Sequence, residues 1–283
     1  MKFLLAAVFS FVASVSLAQT PPAGTPFLSY TCGSQEIMEA AVKARLASMQ
    51  QSDGDLLAAT RAVDLGKAVR SRALDGQEVD QAYKSASHSA ALAKVAKEPD
   101  VAELFRRVAR DQLYRGDFTA AMQRVSWAAG LSDAARAYAY EILASEGCGV
   151  DADNTAWIRN RISTKGWFTI GSSGVEADRA AFLLVQHADR DRAFQSEVLK
   201  VLEPLAARGE TRAANFALLH DRVSVAGKLP QRYGTQGRCT PSGWQPFDIE
   251  EPGQLDQRRS AVGLPPEVEY IAKVSMLCPA QPR

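Results

Sequence analysis

Between Ser34 and Glu146 the chain is written in helix-forming residues, with Ala, Leu, Arg and Glu prominent and no stretch that alternates as a half-buried strand does. That property alone excludes a sheet-based first half. Breaks fall at Ser52-Asp53-Gly54-Asp55, Asp75-Gly76, Glu98-Pro99-Asp100, Gly116-Asp117, Gly130 and Gly147, and each reads as a helix stop or a new N-cap. Asp100 with Glu103 spells a D-x-x-E capping box, while Pro99 keeps the preceding helix from running on. Past Asp75-Gly76, Val79, Tyr83, Ala86 and Ala90 recur at helical spacing and predict an apolar stripe against a core.

Leu113 to Gly130, LYRGDFTAAMQRVSWAAG, resembles the turn between two helices of a tetratricopeptide-type repeat. No second copy stands at a fixed period, so the expectation is a helical hairpin bundle rather than an array. In the second half Asn154 is expected to cap a helix carrying Trp157, Ile158 and Ile162 and ending near Gly166. FTIGSSG reads as a loop, and Ser173 with Glu176 as a capping box. Asp191 is a good cap for a helix with Phe194, Val198, Leu199 and Leu202, which Pro204 must bend or interrupt. Thr211 starts another helix, ending near Arg222.

From Gly227 the text turns dense in Gly, Pro and aromatics. Gln231–Thr235 and Trp244–Ile249 read as short extended segments joined as a hairpin through Pro241-Ser242-Gly243. Pro252 opens a last pair of helices, separated by Gly263-Leu264-Pro265-Pro266. The expected fold is mainly α, a helical hairpin bundle with a tetratricopeptide-like N-terminal half and a small irregular β-hairpin near residues 231–249.

Lys2 and the apolar run Phe3–Leu17, closed by Ser16-Leu17-Ala18, read as a signal peptide over residues 1–18. The run is shorter than the ~20 residues a spanning helix needs. Residues 19–150 then form an N-terminal helical domain and 151–283 a C-terminal one. Export, to a periplasmic or secreted destination, puts Cys32, Cys148, Cys239 and Cys278 in an oxidising space where an even count favours disulfides. Three pairings are open; position favours Cys32–Cys148 and Cys239–Cys278, because each brackets one half of the chain. Each would stabilise by roughly 4 kcal/mol on the loop-entropy account. Zinc thiolates call for a C-x-x-C spacing that is absent.

With 46% hydrophobic and 23% charged residues the chain is globular, neither a disordered tail nor a polytopic membrane protein. Lys and Arg number 33 against 32 Asp and Glu, so no basic excess marks a nucleic-acid partner. The text holds no P-loop, no G-x-G-x-x-G after a strand, no G-x-S-x-G elbow and no redox C-x-x-C, so no cofactor is expected.

Two constellations can carry chemistry. His187, Asp189 and Asp191 form H-x-D-x-D at a helix end, the material for a histidine base with an orienting carboxylate. The plainer reading makes Asp191 a helix cap worth about 1 kcal/mol, pairs Asp189 with a neighbouring arginine, and leaves His187 in the core beside Ala180 and Leu184. The second is PQRYGTQG, where Gln231, Arg232, Tyr233, Thr235 and Gln236 crowd between Pro230 and Gly237. They can line a polar pocket with Arg222 as companion, or equally satisfy buried helix ends. A zinc site from His187, His220 and an aspartate has no supporting spacing, and no metal is expected. His88 reads as a helix-surface residue, and Trp157, Trp167 and Trp244 as core.

DNTAWIRNRISTKGWF, LLVQHADRDRAFQ, DRVSVAGKLPQRYGTQG and EEPGQLDQRRSAVGLPPEVEY together resemble the bacterial domain of unknown function 6624 over about residues 154 to 271. The resemblance implies a mostly helical domain with no agreed activity. The expected function is therefore an exported binding or interaction module for a small polar ligand or an envelope protein. The alternative is a cell-envelope hydrolase with His187 as base and Asp189 or Asp191 orienting it.

Overall fold

Ala-rich, well-punctuated text folds as expected into helices joined by short turns. The computed structural model describes residues 53–145, 147–240, 242–276 and 278, together with positions 40, 42–44 and 46–47. Residues 1–18 and the Cys32–Cys148 pairing lie outside them. In chain order come α1 (Asp53–Leu74), α2 (Lys84–Val95), α3 (Pro99–Gln123), α4 (Asp133–Ala144), α5 (Gly147–Lys165), the short α6 (Ile170–Ser173), α7 (Val175–Gln186), α8 (Arg192–Ala207) and α9 (Ala213–Ala226). A two-stranded antiparallel sheet follows, β1 (Gly237–Thr240) with β2 (Gly243–Pro246), then α10 (Leu255–Ala261) and α11 (Glu267–Ser275). The fold is mainly α with one small hairpin. Two compact units divide between Asp153 and Asn154, inside α5.

In the first unit α2 packs along α3 and α1 against α4. The predicted stripe is there: Tyr83, Ala86 and Ala90 are buried and Val79 packs beside them, with Tyr83 in a 3-10 turn just before α2. One expected break is absent. Gly116-Asp117 does not stop a helix, for α3 runs through it to Gln123 and ends at Arg124, which takes the left-handed conformation (φ 55°). The turn between helices in Leu113–Gly130 therefore comes after Gln123 and not at Gly116-Asp117. Gly116 is glycine because Tyr83 lies on it: a Cβ would meet the ring at 2.6 and 2.8 Å and the Ala82 carbonyl at 2.9 Å. Asp117 is buried in the same contact, accepting from the Tyr83 hydroxyl at 2.5 Å, and that oxygen accepts from Trp127 Nε1 at 2.7 Å. Glu98 is the N-cap of α3 and Pro99 its first residue, so Asp100 lies inside the first turn instead of capping it. Ser132 caps α4 by accepting from the Ala135 N–H.

In the second unit the boundaries shift by single turns for identifiable reasons. Asn154 is buried in the middle of α5, which begins seven positions earlier, at Gly147, and stops before Gly166 (φ 76°). Ser173 closes α6, and Gly174, not Ser173, stands at the N-cap of α7. α8 continues past Pro204 to Ala207. Thr211 does not open α9, because its hydroxyl donates to the buried Asp178 of α7 at 2.5 Å. Asp178 also accepts from Trp167 Nε1, the Arg212 N–H and Asn215 Nδ2, so a carboxylate from another helix serves the start of α9. The hairpin turns where expected, but its first strand is residues 237–240, and Gln231–Thr235 does something else, described below. Cys239 of β1 is joined to Cys278 beyond α11, and Trp244 packs edge-on against Tyr270 of α11.

Two outcomes follow for the first unit. Gly116→Ala gains about 1 kcal/mol of helix propensity yet forces about 1–3 kcal/mol of overpacking against Tyr83 and a fixed carbonyl. Urea unfolding is expected to show a net loss, where a mere helix stop would show a gain. Burial, opposed by Arg70, Tyr83 and Trp127, raises the Asp117 carboxyl to about 6 from 3.8. A raised carboxyl favours the folded state most below the unfolded value and loses that contribution as pH climbs through the folded one. Stability relative to Asp117→Asn is expected to fall by about 3 kcal/mol between pH 3.5 and 7, at 1.36 kcal/mol per unit; a flat difference refutes the assignment.

Candidate functional site

A buried aspartate organises the loop that stands out in the sequence. Asp221 lies on α9 with no exposure to solvent. Its Oδ1 accepts from the N–H groups of Arg232 (2.8 Å) and Tyr233 (2.9 Å), and its Oδ2 from the Thr235 N–H (2.9 Å) and hydroxyl (3.0 Å). Residues 232–235 cannot extend as a strand, because closing on one carboxylate requires consecutive amides to point inward. Gly234 supplies the left-handed position (φ 64°) that the wrap needs.

The neighbouring side chains lock that wrap. Gln231 is fully buried, donating to the carbonyls of Gln236 and Phe247 and accepting from the Gln236 N–H. Gln236 donates to the Thr235 hydroxyl oxygen. Arg259 of α10, also fully buried, donates to the carbonyls of Tyr233 and Pro265 and lies over the Tyr270 ring at 4.7 Å. Burial lowers the Arg259 guanidinium below its ordinary range, with Tyr270, Asp256, Glu267 and Asp221 opposing. The Tyr270 hydroxyl donates to the Thr235 carbonyl. Gln231, Thr235 and Gln236 thus direct their polar groups into the loop, while the Arg232 side chain is half exposed, 3.6 Å from Glu250. The buried Tyr233 ring meets His220 of α9 edge-on at 5.8 Å.

The H-x-D-x-D text splits in two. Asp189 turns to α9: its Oδ1 accepts from Arg222 Nη1 at 2.5 Å and from Gln195 Nε2 at 3.3 Å, and its side chain remains half exposed. Burial pushes its carboxyl up, and Arg222, with help from His187 and Gln195, overcomes that and holds it below the usual carboxylate range. Asp191 goes the other way. It caps α8 through the Phe194 N–H at 3.0 Å and pairs with Arg159 of α5 at 2.5 Å, whose hydrogen bond lowers its carboxyl. His187 ends α7 and is buried with Ala180 and Leu184. His88 stands on the surface of α2. Among the described residues no three His, Cys, Asp or Glu side chains are grouped to hold a metal ion.

Sequence reading missed Asp221, Arg259 and Tyr270 as the loop's supports, and His220 as the ring set against Tyr233. The signal was present in His220-Asp221-Arg222. Consecutive helix residues point in directions about 100° apart, so Asp221 reaches the loop while Arg222 reaches the α7–α8 turn.

The family described as "Family of unknown function (DUF6624)" matches residues 119–277, more than half the chain, and extends further toward the N-terminus than the 154–271 read from the sequence. No curated protein matches the chain. No solved structure matches it.

Replacing Asp221 by Asn turns an N–H-bearing group toward amides that need an acceptor. The expected cost is about 3 kcal/mol, since hydrogen bonds to a charged acceptor are worth ~1.5–3 kcal/mol each. Amide exchange at Arg232, Tyr233 and Thr235 should lose its protection; protection equal to that of the native chain rejects the role given to Asp221.

Proposed function

The chain belongs to the DUF6624 family, and on that footing we propose that it is an exported helical binding module holding a small polar ligand at the Asp189–Arg222 pair, beside the loop built on Asp221. The observation that carries this reading is the state of Asp189. One oxygen is fixed by Arg222 and Gln195, the side chain is half open to solvent, and its neighbours hold the carboxyl ionised. A carboxylate so placed is a preorganised hydrogen-bond acceptor for a hydroxyl, amide or ammonium group.

The same facts weigh against the hydrolase reading. That reading needs Asp189 or Asp191 to orient His187, whereas Asp189 is held by Arg222 and Gln195. Asp191 is also engaged by Arg159 and the α8 amide. Export is supported by the apolar run ending in Ser16-Leu17-Ala18 and by the Cys239–Cys278 bridge. No helix among the described residues is long and apolar enough to cross a membrane.

The test is calorimetric titration of the full chain with ethanolamine, glucosamine, acetamide and acetate at pH 7. The donor-bearing probes are expected to bind and acetate is not, with Asp189→Asn weakening binding about tenfold, the ~1.4 kcal/mol of one charge-assisted hydrogen bond. Silence from every donor probe overturns the reading. So does turnover of a cell-envelope substrate that is lost in His187→Ala and kept in His88→Ala.

A further inference from the structure

We infer that His220 is a proton-accepting site whose imidazole is fixed as the Nδ1–H tautomer by Asp221, leaving the Nε2 lone pair on the ring edge away from that carboxylate. His220 and Asp221 are neighbours on α9, and Nδ1 stands 3.6 Å from Asp221 Oδ1. Nδ1 is buried and has no hydrogen-bond partner. Asp221 accepts from Arg232, Tyr233 and Thr235, so it faces the imidazole as an acceptor with no proton to give. A lone pair on Nδ1 would stand 3.6 Å from the carboxylate oxygen and be repelled, whereas an N–H at that distance is attracted to it. The tautomer follows.

About a quarter of the side chain is exposed, 27%, and since Nδ1 is closed to solvent that exposure belongs to the side chain's other atoms. Phe216 at 5.9 Å and Tyr233 at 5.8 Å hold the plane of the ring. An imidazole oriented by a carboxylate behind it, with its free nitrogen presented forward, is the arrangement of a general base. In the step it can perform, a bound O–H, N–H or water gives its proton to Nε2. The bond to hydrogen breaks on the donor, which keeps the electron pair, and the new N–H bond forms at Nε2 while Nδ1 keeps its own hydrogen toward Asp221. This inference goes beyond the binding reading and does not depend on it, because it concerns His220 and not Asp189.

Long-range ¹H–¹⁵N correlation on the full chain, with His220→Gln to assign the signals, reads the tautomer directly. The expected pattern is a protonated Nδ1 and a bare Nε2 in the neutral ring. A bare Nδ1 with a protonated Nε2 overturns the inference. Reach is tested separately with diethyl pyrocarbonate, which a bare imidazole nitrogen attacks at a carbonyl carbon, releasing ethanol and carbon dioxide. Peptide mapping is expected to find His220 ethoxycarbonylated under conditions that label His88, with the label lost in His220→Gln. An unlabelled His220 beside a labelled His88 overturns the claim that its lone pair is presented.

Discussion

A negative charge sealed inside the second unit fixes how its least regular segment must run. Taking a carboxylate out of water is tolerable only when donors replace the water, and the turn from Arg232 to Thr235 provides them from its own backbone. Once that wrap exists, the carbonyls of Tyr233 and Thr235 are turned away from Asp221 and need donors of their own. Arg259 and the Tyr270 hydroxyl meet them. α10 and α11 are thereby tied to α9 through polar contacts, and the Cys239–Cys278 bridge closes the hairpin onto the same region.

Three buried aspartates show how the number of donors decides what such a charge does. Asp178 and Asp221 each accept several hydrogen bonds and join segments distant in the chain. Asp117 has the Tyr83 hydroxyl on one oxygen, while Arg70 stands 3.7 Å from the other. Burial wins there, which is why its carboxyl is raised to about 6. The half-exposed Asp189 is the opposite case, since a guanidinium at 2.5 Å outweighs the loss of water.

Local rules made much of this fold legible. Helical text, the cap at Asp191, the stop at Gly166 and the hairpin turn before Gly243 are short-range matters, settled by a few residues on either side. Gly116 and Thr211 misled because each answers to a partner far along the chain: Tyr83 on one, Asp178 on the other. No spacing rule announces a ring 33 positions away. The site divides likewise. Polar crowding in QRYGTQG marked the right loop, but crowding alone cannot say whether those groups face a ligand or one another, and Gln231, Thr235 and Gln236 face one another.

What is left facing outward narrows the chemistry this unit can perform. A loop whose amides converge on a protein carboxylate cannot offer those amides to an oxyanion or a phosphate, so the anion-cradling role that a Gly-bearing polar loop suggests is already occupied from within. The buried guanidiniums are engaged as well, Arg222 by Asp189 and Arg259 by backbone carbonyls. Acceptors remain in both places, the open side of Asp189 at the α7–α8 turn and, on the tautomer inferred above, the outer edge of His220 beside the loop. An acceptor in each place suits partners that bear O–H or N–H groups, and a hydrogen carried on Nδ1 of His220 is what lets that ring take a proton as well as accept a hydrogen bond.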